Sequence, residues 1–331
     1  MSQTSKVSTT MTTPTPTLPS TTLPFTITII GGGIGGLVLA AGLLRRSIPV
    51  LIYEATSSFG EIGLGLSIGP AAHRCMPLIN PAIRKIYDSL VTTHADSPGY
   101  EAFKETWFEI VWAGGGFESG DGNGNGKGSR RGRDGEILMD LKASPSGQTT
   151  VRRADFLDAL VRLIPADCVH FGRRLERLEE TPNGVKLGFE DGSEVMADIV
   201  IGCDGIRSVV KHFMLPEESE SCKPTYSGMY GYRAVLDMET MVEAVGEQRA
   251  RVSTMYVGKG AYGISYPIMR AKKVNVGLYV LSEKWEGESW VRPTTKEEML
   301  KDLGHMGKGV NSLMNVSYTQ YLHLVLGRLE K

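Results

Sequence analysis

The sequence predicts a mixed α/β fold, in which a parallel sheet near the N-terminus is joined to a separate antiparallel sheet. Two patterns support this prediction. Near the N-terminus, an apolar run over 25–30, a helical pattern ending near Arg46 and a second apolar run over 49–53 follow one another as strand, helix and strand. Further along, segments 251–257 and 274–280 alternate apolar and polar side chains, which is typical of half-buried antiparallel strands.

The turn between the first strand and the helix carries glycines at an informative spacing. Gly31, Gly33 and Gly36 form a G-x-G-x-x-G pattern directly after the strand. Glycine permits a tight turn, a close approach of the backbone to a pyrophosphate and close packing of the helix on the sheet. Glu54 ends the second strand eighteen residues past Gly36, where an acidic side chain can accept ribose hydroxyls. The segment therefore predicts a Rossmann-like dinucleotide site at the positive end of the helix.

A second motif follows a predicted antiparallel meander. Segments 174–180, 185–190 and 194–201 have the pattern of three short strands joined by turns. Segment 198–202 is predicted to be a buried parallel strand, and Asp204-Gly205 follows directly after Cys203. An Asp at the carboxyl end of a parallel strand faces the crevice where ligands bind, although Asp-Gly can also serve only as a turn.

Composition and charge exclude several classes of protein. The chain has 331 residues, of which 41% are hydrophobic and 22% charged, and its formal net charge of −1 offers no electrostatic footprint for nucleic acid. No membrane span is expected, because the glycine motif accounts for the apolar stretch 27–44. The four cysteines show neither C-x-x-C spacing nor a histidine partner, which favours reduced thiols in a cytoplasmic protein and no metal site.

Three segments have a simple structural interpretation. Residues 1–24 are rich in Thr, Ser and Pro, which predicts a disordered tail. The glycine-rich stretch 114–135 predicts a surface loop inserted between two strands. Thr295 and Glu298 form a capping box, which predicts the start of a short helix.

The two motifs, taken in order, resemble those of the FAD-dependent aromatic hydroxylases, the single-component flavoprotein monooxygenases that include salicylate hydroxylase and fungal polyketide hydroxylases. The similarity runs from about Thr26 to about Leu303. Segment 60–70 is similar to the stretch that passes beside the flavin in those enzymes. Arg153 matches their flavin-contacting arginine, and segment 227–234 is similar to the strand that begins their substrate sheet.

This resemblance implies a Rossmann-like FAD-binding domain with an inserted meander and an antiparallel substrate domain. It implies FAD as cofactor, NADH or NADPH as transient reductant, and hydroxylation of a small aromatic or polyketide-like substrate by O₂ through a flavin C4a-hydroperoxide. Together with the motifs, it predicts as cofactor-binding residues Gly31, Gly33, Gly36, Glu54, Gly65, Arg153, Asp204 and Gly205.

Hydroxylation of a phenol requires the substrate to be held near its phenolate form, which an arginine or a tyrosine hydroxyl can do. Tyr232 and Arg233 on the first substrate strand and Arg207 after the Asp-Gly turn are the catalytic candidates, and Tyr266 is a weaker one. Tyr232 and Arg233 are adjacent, so they point to opposite faces of the strand and at most one faces the pocket directly. The alternative role for Arg207 is a structural ion pair with a carboxylate.

The predicted domains are a FAD-binding domain over 25–222, a substrate sheet over 223–303 and an incomplete return toward the FAD domain over 304–331. The family's third motif, Gly-Asp followed by Ala-Ala-His and a Pro, does not occur in this sequence. A truncated or degenerate, inactive chain is therefore one alternative. A nicotinamide-dependent dehydrogenase is another, although Tyr100 and Lys104 come early for the Tyr-x-x-x-Lys of a short-chain reductase and the Asp204-Gly205 motif would be unexplained.

Overall fold

The computed structural model describes residues 24–58, 65–114, 133–216, 219, 225–284, 291–317 and 323–328. The predicted tail therefore lies outside the described residues up to residue 23, and the predicted loop insertion lies outside them over 115–132.

Within these ranges the strands are β1 (Ile27–Ile30), β2 (Val50–Tyr53), β3 (Gly65–Ser67), β4 (Thr106–Trp112), β5 (Ile137–Lys142), β6 (Thr150–Arg152), β7 (Val169–His170), β8 (Leu175–Thr181), β9 (Gly184–Phe189), β10 (Glu194–Ala197), β11 (Ile199–Gly202), β12 (Tyr226–Asp237), β13 (Thr254–Gly258), β14 (Ala261–Ile268), β15 (Lys273–Leu281), β16 (Val291–Pro293) and β17 (His323–Arg328). The α-helices are α1 (Ile34–Leu44), α2 (Pro70–Ile79), α3 (Pro81–Leu90), α4 (Arg153–Val161), α5 (Val209–Met214), α6 (Met238–Val245), α7 (Glu247–Arg251), α8 (Lys296–Leu303) and α9 (Lys308–Ser317).

A parallel sheet with the strand order β11-β1-β2-β7 forms the centre of the first half of the chain. One face packs against α1 and α4, where Ile29, Leu37 and Leu160 are completely buried. The other face packs against the meander β8–β9–β10 and α5, through side chains such as Leu187 and Phe189. The predicted order of strand, glycine turn, helix and strand is confirmed.

The structure corrects two expectations about segment 194–202. The third meander strand ends at Ala197, and the chain changes sheets at Asp198 before β11 pairs with β1. β11 is also an edge strand, and Ile199 is 40% exposed, so the prediction of a buried strand is wrong. β11 is exposed because β1 pairs with only one of its edges, and no strand of the described residues pairs with the other edge.

The second half of the chain is built on a large, mostly antiparallel sheet with the strand order β16-β17-β12-β15-β14-β13-β4-β5. An antiparallel sheet was predicted, but its membership differs from the predicted domains. β4 and β5 come from within 25–222, and β17 comes from within 304–331. β17 pairs antiparallel with β12, so this segment joins the large sheet and does not return to the parallel one.

Because side chains alternate along strands, the large sheet has two different faces. The helix-covered face packs against α6, α8 and α9, through residues such as Leu236, Leu303 and Leu313. The opposite face carries Phe108, Tyr266 and Ile268 and lies against the β3–β6 ribbon, the two-stranded sheet formed by residues 65–67 and 150–152. Among the helices in the described ranges, none combines the length and the apolar character needed to cross a membrane.

A buried histidine ties the segment before β4 to the segment before β13. His94 is 3% exposed, and its Nε2 atom accepts a hydrogen bond from the backbone N–H of Ser253 at 3.0 Å. Its Nδ1–H group then donates to the carbonyl oxygen of Phe103 at 2.9 Å. This arrangement suits the neutral ring, and burial lowers the pKa of His94.

We expect His94 to make the protein sensitive to mild acid. The unfolded chain takes up a proton near pH 6.5, whereas the folded chain takes it up only at a lower pH. The contribution of the neutral His94 ring to stability is therefore complete above about pH 6.5. It is lost as the pH falls toward the lower pKa of the folded chain, by up to about 1.4 kcal/mol per pH unit. Urea unfolding between roughly pH 5 and pH 8 should show a smaller acid loss in His94→Gln than in the wild type. His212→Gln, at an exposed position, is the control, and equal acid losses in wild type and His94→Gln would contradict the assignment.

Candidate active site

An open cleft of about 330 Å³ lies where β1, β2 and β11 end. The carboxyl edge of a parallel sheet is where such folds bind ligands. The cleft brings together predicted residues from four separate segments of the chain, namely Gly31, Gly33, Glu54, Arg153, Asp204, Gly205 and Arg207.

Glycine occupies the three motif positions for different physical reasons. A methyl group on Gly31, whose φ is +103°, would lie 2.3 Å from the carbonyl oxygen of Cys203. One on Gly36 would lie 2.0 Å from the carbonyl oxygen of Gly31. One on Gly33 would meet no protein atom within 4 Å, and the backbone there has a conformation that other residues also adopt. Gly33 therefore leaves bare backbone facing the cleft at the start of α1, which fits a pyrophosphate in that cradle.

Glu54 is held at the cleft by its own chain. Its Oε2 atom accepts a hydrogen bond from the backbone N–H of Gly32 at 2.6 Å. Its Oε1 atom accepts from the backbone N–H and from the hydroxyl of Thr56, at 2.8 and 2.9 Å. A carboxylate has about four acceptor positions, so Glu54 retains capacity for a ribose hydroxyl.

Asp204 lines the cleft and also caps a helix. Its Oδ1 atom accepts from the hydroxyl of Ser208 at 2.6 Å, and its Oδ2 atom accepts from the backbone N–H of Val209 at 2.7 Å. Gly205 follows with φ at +74°, a conformation that favours glycine. The turn interpretation therefore accounts for much of this motif, and the predicted contact with a cofactor stays a prediction.

Four arginines line the cleft: Arg153, Arg173, Arg174 and Arg207. Arg173 and Arg174 were not predicted from the sequence, although both follow a strand of the parallel sheet. The backbone N–H of Arg173 donates to the carbonyl oxygen of Glu54 at 2.8 Å, so this segment borders the predicted ribose position. Arg207, a predicted catalytic candidate, is exposed in this cleft and does not belong to the large sheet. Arg173 and Arg174 form ion pairs with Asp191 and Glu190, which offsets part of the positive charge of this wall.

Gly65 lies outside the cleft lining, at the seam between the β3–β6 ribbon and the large sheet. Its N–H group donates to Oδ1 of Asn275 at 3.1 Å, and its carbonyl oxygen accepts from the hydroxyl of Tyr266 at 3.0 Å. The preceding residues 60–64, part of the segment that resembles the flavin-adjacent stretch, lie outside the described residues. The structure thus gives Gly65 an interdomain contact.

Tyr232 and Arg233 lie on opposite faces of β12. Tyr232 is 2% exposed on the helix-covered face, and its hydroxyl donates to Oδ2 of Asp302. Burial raises the pKa of Tyr232, and Asp302 raises it further. Arg233 lies on the other face, where its Nη2 group donates to the hydroxyl of Tyr279 at 3.0 Å.

The guanidinium of Arg233 is incompletely satisfied. Its Nε–H group is buried without a hydrogen-bond acceptor in the structure. Within the described part of the chain, the hydroxyl of Tyr279 is its side-chain hydrogen-bond partner, and no carboxylate forms an ion pair with it. A half-buried cation with a buried, unsatisfied N–H group is suited to an anionic ligand.

The residues of the dehydrogenase alternative lie elsewhere. Tyr100 precedes a short 3₁₀ turn over Glu101–Phe103, and Lys104 ends it. Neither residue lines the cleft.

The cleft and the two sheets have the architecture of a dinucleotide-binding fold joined to an antiparallel sheet, and similar architectures occur in known proteins. A 6-methylsalicylate 1-monooxygenase from Aspergillus terreus is 39% identical over 290 residues, which cover 86% of this chain and 60% of that protein. An FAD-dependent monooxygenase from Monascus ruber is 35% identical over 299 residues, covering 88% and 63%. A solved salicylate hydroxylase substrate complex matches with a TM-score of 0.72 and 26% identity, over 92% of this chain and 68% of that one.

Over most of its length, the chain is similar to FAD-dependent aromatic monooxygenases of the salicylate hydroxylase-like type. It spans 60–63% of the length of the first relatives that it matches. No protein-family model matches the chain.

We expect Gly33→Asp to abolish FAD binding without weakening the fold. Asp is favoured at the first position before a helix, which Gly33 occupies in α1, but its carboxylate would stand against the pyrophosphate. Gly36→Ala is the matched variant: its methyl group collides with the Gly31 carbonyl, so the melting temperature itself should fall. FAD titration and thermal unfolding of both variants separate the two effects. Unchanged FAD affinity in Gly33→Asp would refute this cofactor site.

Proposed function

We propose that this chain carries the FAD-binding and substrate-binding parts of a monooxygenase that hydroxylates a small aromatic acid, with NADH or NADPH as reductant and O₂ as oxidant. The observation that carries the proposal is the pairing of two features: a cleft with a bare Gly33 cradle, and a half-buried Arg233 without an anionic partner among the described residues. The relatives support it, since the names of two of them refer to salicylates.

The cleft residues have distinct parts in this proposal. The N–H groups at the start of α1 would hold the pyrophosphate, since the first turn of a helix has no internal acceptors for them. Glu54 would accept a ribose hydroxyl, and Arg153 and Arg207 would balance the phosphate charge. When bound, FAD supplies the electron transfer and oxygen chemistry, while the protein orients the partners and excludes water.

Arg233 would bind the anionic group of the substrate. Burying a guanidinium without a counter-charge is unfavourable, so a carboxylate or phenolate arriving at this position gains more than it would in water. A phenolate held in this way donates electron density to the ring carbon that is attacked. The substrate class that fits is therefore a hydroxylated aromatic acid.

Tyr279 would keep the guanidinium of Arg233 in place. A methyl group on Gly231 would lie 2.6 Å from the Tyr279 ring, and one on Gly277 would lie 2.8 Å from its hydroxyl, so two glycines make room for this side chain. The hydroxyl then reaches Arg233. Tyr232 takes no part in the proposal, because its hydroxyl is bound to Asp302 on the helix-covered face.

The proposed compartment is the cytoplasm. Cys75, Cys168 and Cys203 are all free thiols, which suits a reducing environment.

We expect Arg233→Gln to lower kcat/KM for hydroxylation of an aromatic acid such as salicylate by a factor of about 10² to 10⁴. The ratio of product formed to NAD(P)H consumed should also fall, because a misplaced ring is not hydroxylated before the activated oxygen is lost as peroxide. FAD affinity should stay close to that of the wild type, since Arg233 lies outside the cleft.

Tyr232→Phe is the matched control on the neighbouring residue. It removes the hydrogen bond to Asp302, so it should lower the melting temperature but leave the product ratio unchanged. Wild-type product ratios in both variants would remove β12 from the active site. If purified wild-type protein shows no flavin absorbance at about 450 nm, or no turnover when FAD is supplied, the result favours the inactive alternative instead.

A further inference from the structure

The β3–β6 ribbon connects the cofactor cleft to the face of the large sheet that carries Arg233. Gly65 in β3 pairs with Arg152 in β6. The residue that follows, Arg153, begins α4 and lines the cleft. A displacement of Gly65 relative to the large sheet therefore moves Arg153 relative to Arg233.

Two side chains of the large sheet hold both polar backbone groups of Gly65. Asn275 in β15 accepts from its N–H group at 3.1 Å, and Tyr266 in β14 donates to its carbonyl oxygen at 3.0 Å. These side chains are buried, with residue exposures of 1% for Asn275 and 5% for Tyr266. A third bond ties the ribbon down nearby, from the hydroxyl of Thr150 to the carbonyl oxygen of Pro267.

The backbone of Gly65 lies so close to the large sheet that there is no room for a side chain. A methyl group there would lie 2.8 Å from Cε2 of Tyr266 and 3.1 Å from Cβ of Asn275. Apolar contacts alone are not directional, whereas two hydrogen bonds from different strands fix both the distance and the orientation of one peptide segment. Loss of either partner would leave a poorly satisfied backbone group at the seam.

We propose that Tyr266 and Asn275 are positioning residues, which clamp Gly65 and thereby hold the cofactor cleft and the Arg233 face in a fixed relation. This inference rests on the proposed function, and it changes the role expected for Tyr266. Its hydroxyl is committed to the Gly65 carbonyl, so Tyr266 acts through the ribbon and does not exchange a proton with the substrate. Burial also raises the pKa of Tyr266, which opposes ionisation.

The test uses Tyr266→Phe and Asn275→Leu, which remove the hydrogen bonds and keep most of the packing. Tyr256→Phe is the control, because Tyr256 is equally buried but lies on the helix-covered face. Amide hydrogen exchange in peptides covering 65–68 and 150–153 should become about fivefold faster in the two clamp variants and stay unchanged in the control.

The catalytic measurement separates positioning from binding. With salicylate as the probe, kcat for hydroxylation should fall about tenfold in each clamp variant, together with the ratio of product to NAD(P)H. KM should change by less than about threefold, because Arg233 and Tyr279 are intact.

The outcomes are distinguishable. If amide exchange in both clamp variants equals that in the Tyr256→Phe control, the clamp is overturned. Faster exchange with wild-type kcat and wild-type product ratio would overturn the positioning role. The exchange comparison needs neither FAD nor turnover, so it decides the clamp even when the wild type retains no flavin, an outcome that contradicts the proposed function instead.

Discussion

The close approach of three backbone segments at Gly31 is the constraint on which the rest of the structure depends. The Gly31 N–H group donates to the carbonyl oxygen of Tyr53 at 2.8 Å, and that of Cys203 donates to the carbonyl oxygen of Ile30 at 2.7 Å. Side chains at Gly31 or Gly36 would separate these segments. Because the ends of β1, β2 and β11 meet here, Glu54 and Asp204 come to the same cleft although they are far apart in sequence.

The glycines of this turn divide between folding and binding. Gly31 and Gly36 are explained by neighbouring protein atoms, whereas Gly33 has open space where its side chain would be. A protein that only needed to fold would gain from a polar side chain before α1, where Ser, Thr, Asp or Asn cap a helix. Bare backbone at this position is therefore a small cost to helix stability, which a pyrophosphate bound there would offset.

The two faces of the large sheet differ in how their polar side chains are paired. The helix-covered face buries apolar side chains and the hydroxyl of Tyr232, which donates to Asp302. The opposite face carries Arg233, whose buried Nε–H group lacks an acceptor in the structure. Other buried polar atoms also lack a partner, but this one belongs to a cation, for which an anionic ligand is favourable. Tyr266 and Asn275 connect this face to the β3–β6 ribbon.

The sequence by itself determined the features that depend on near neighbours. These include the strand, turn and helix around Gly31, the capping box of Thr295 and Glu298, and the placement of Tyr232 and Arg233 on opposite faces. Short-range sterics and periodicity set such features, so they are visible in a window of a few residues. Only the tertiary structure decided which face meets the β3–β6 ribbon, which strands join the large sheet, and that Gly65 contacts side chains 201 and 210 residues away. Strand pairing and burial depend on distant partners, and the local pattern of β4, β5 or β17 does not specify them.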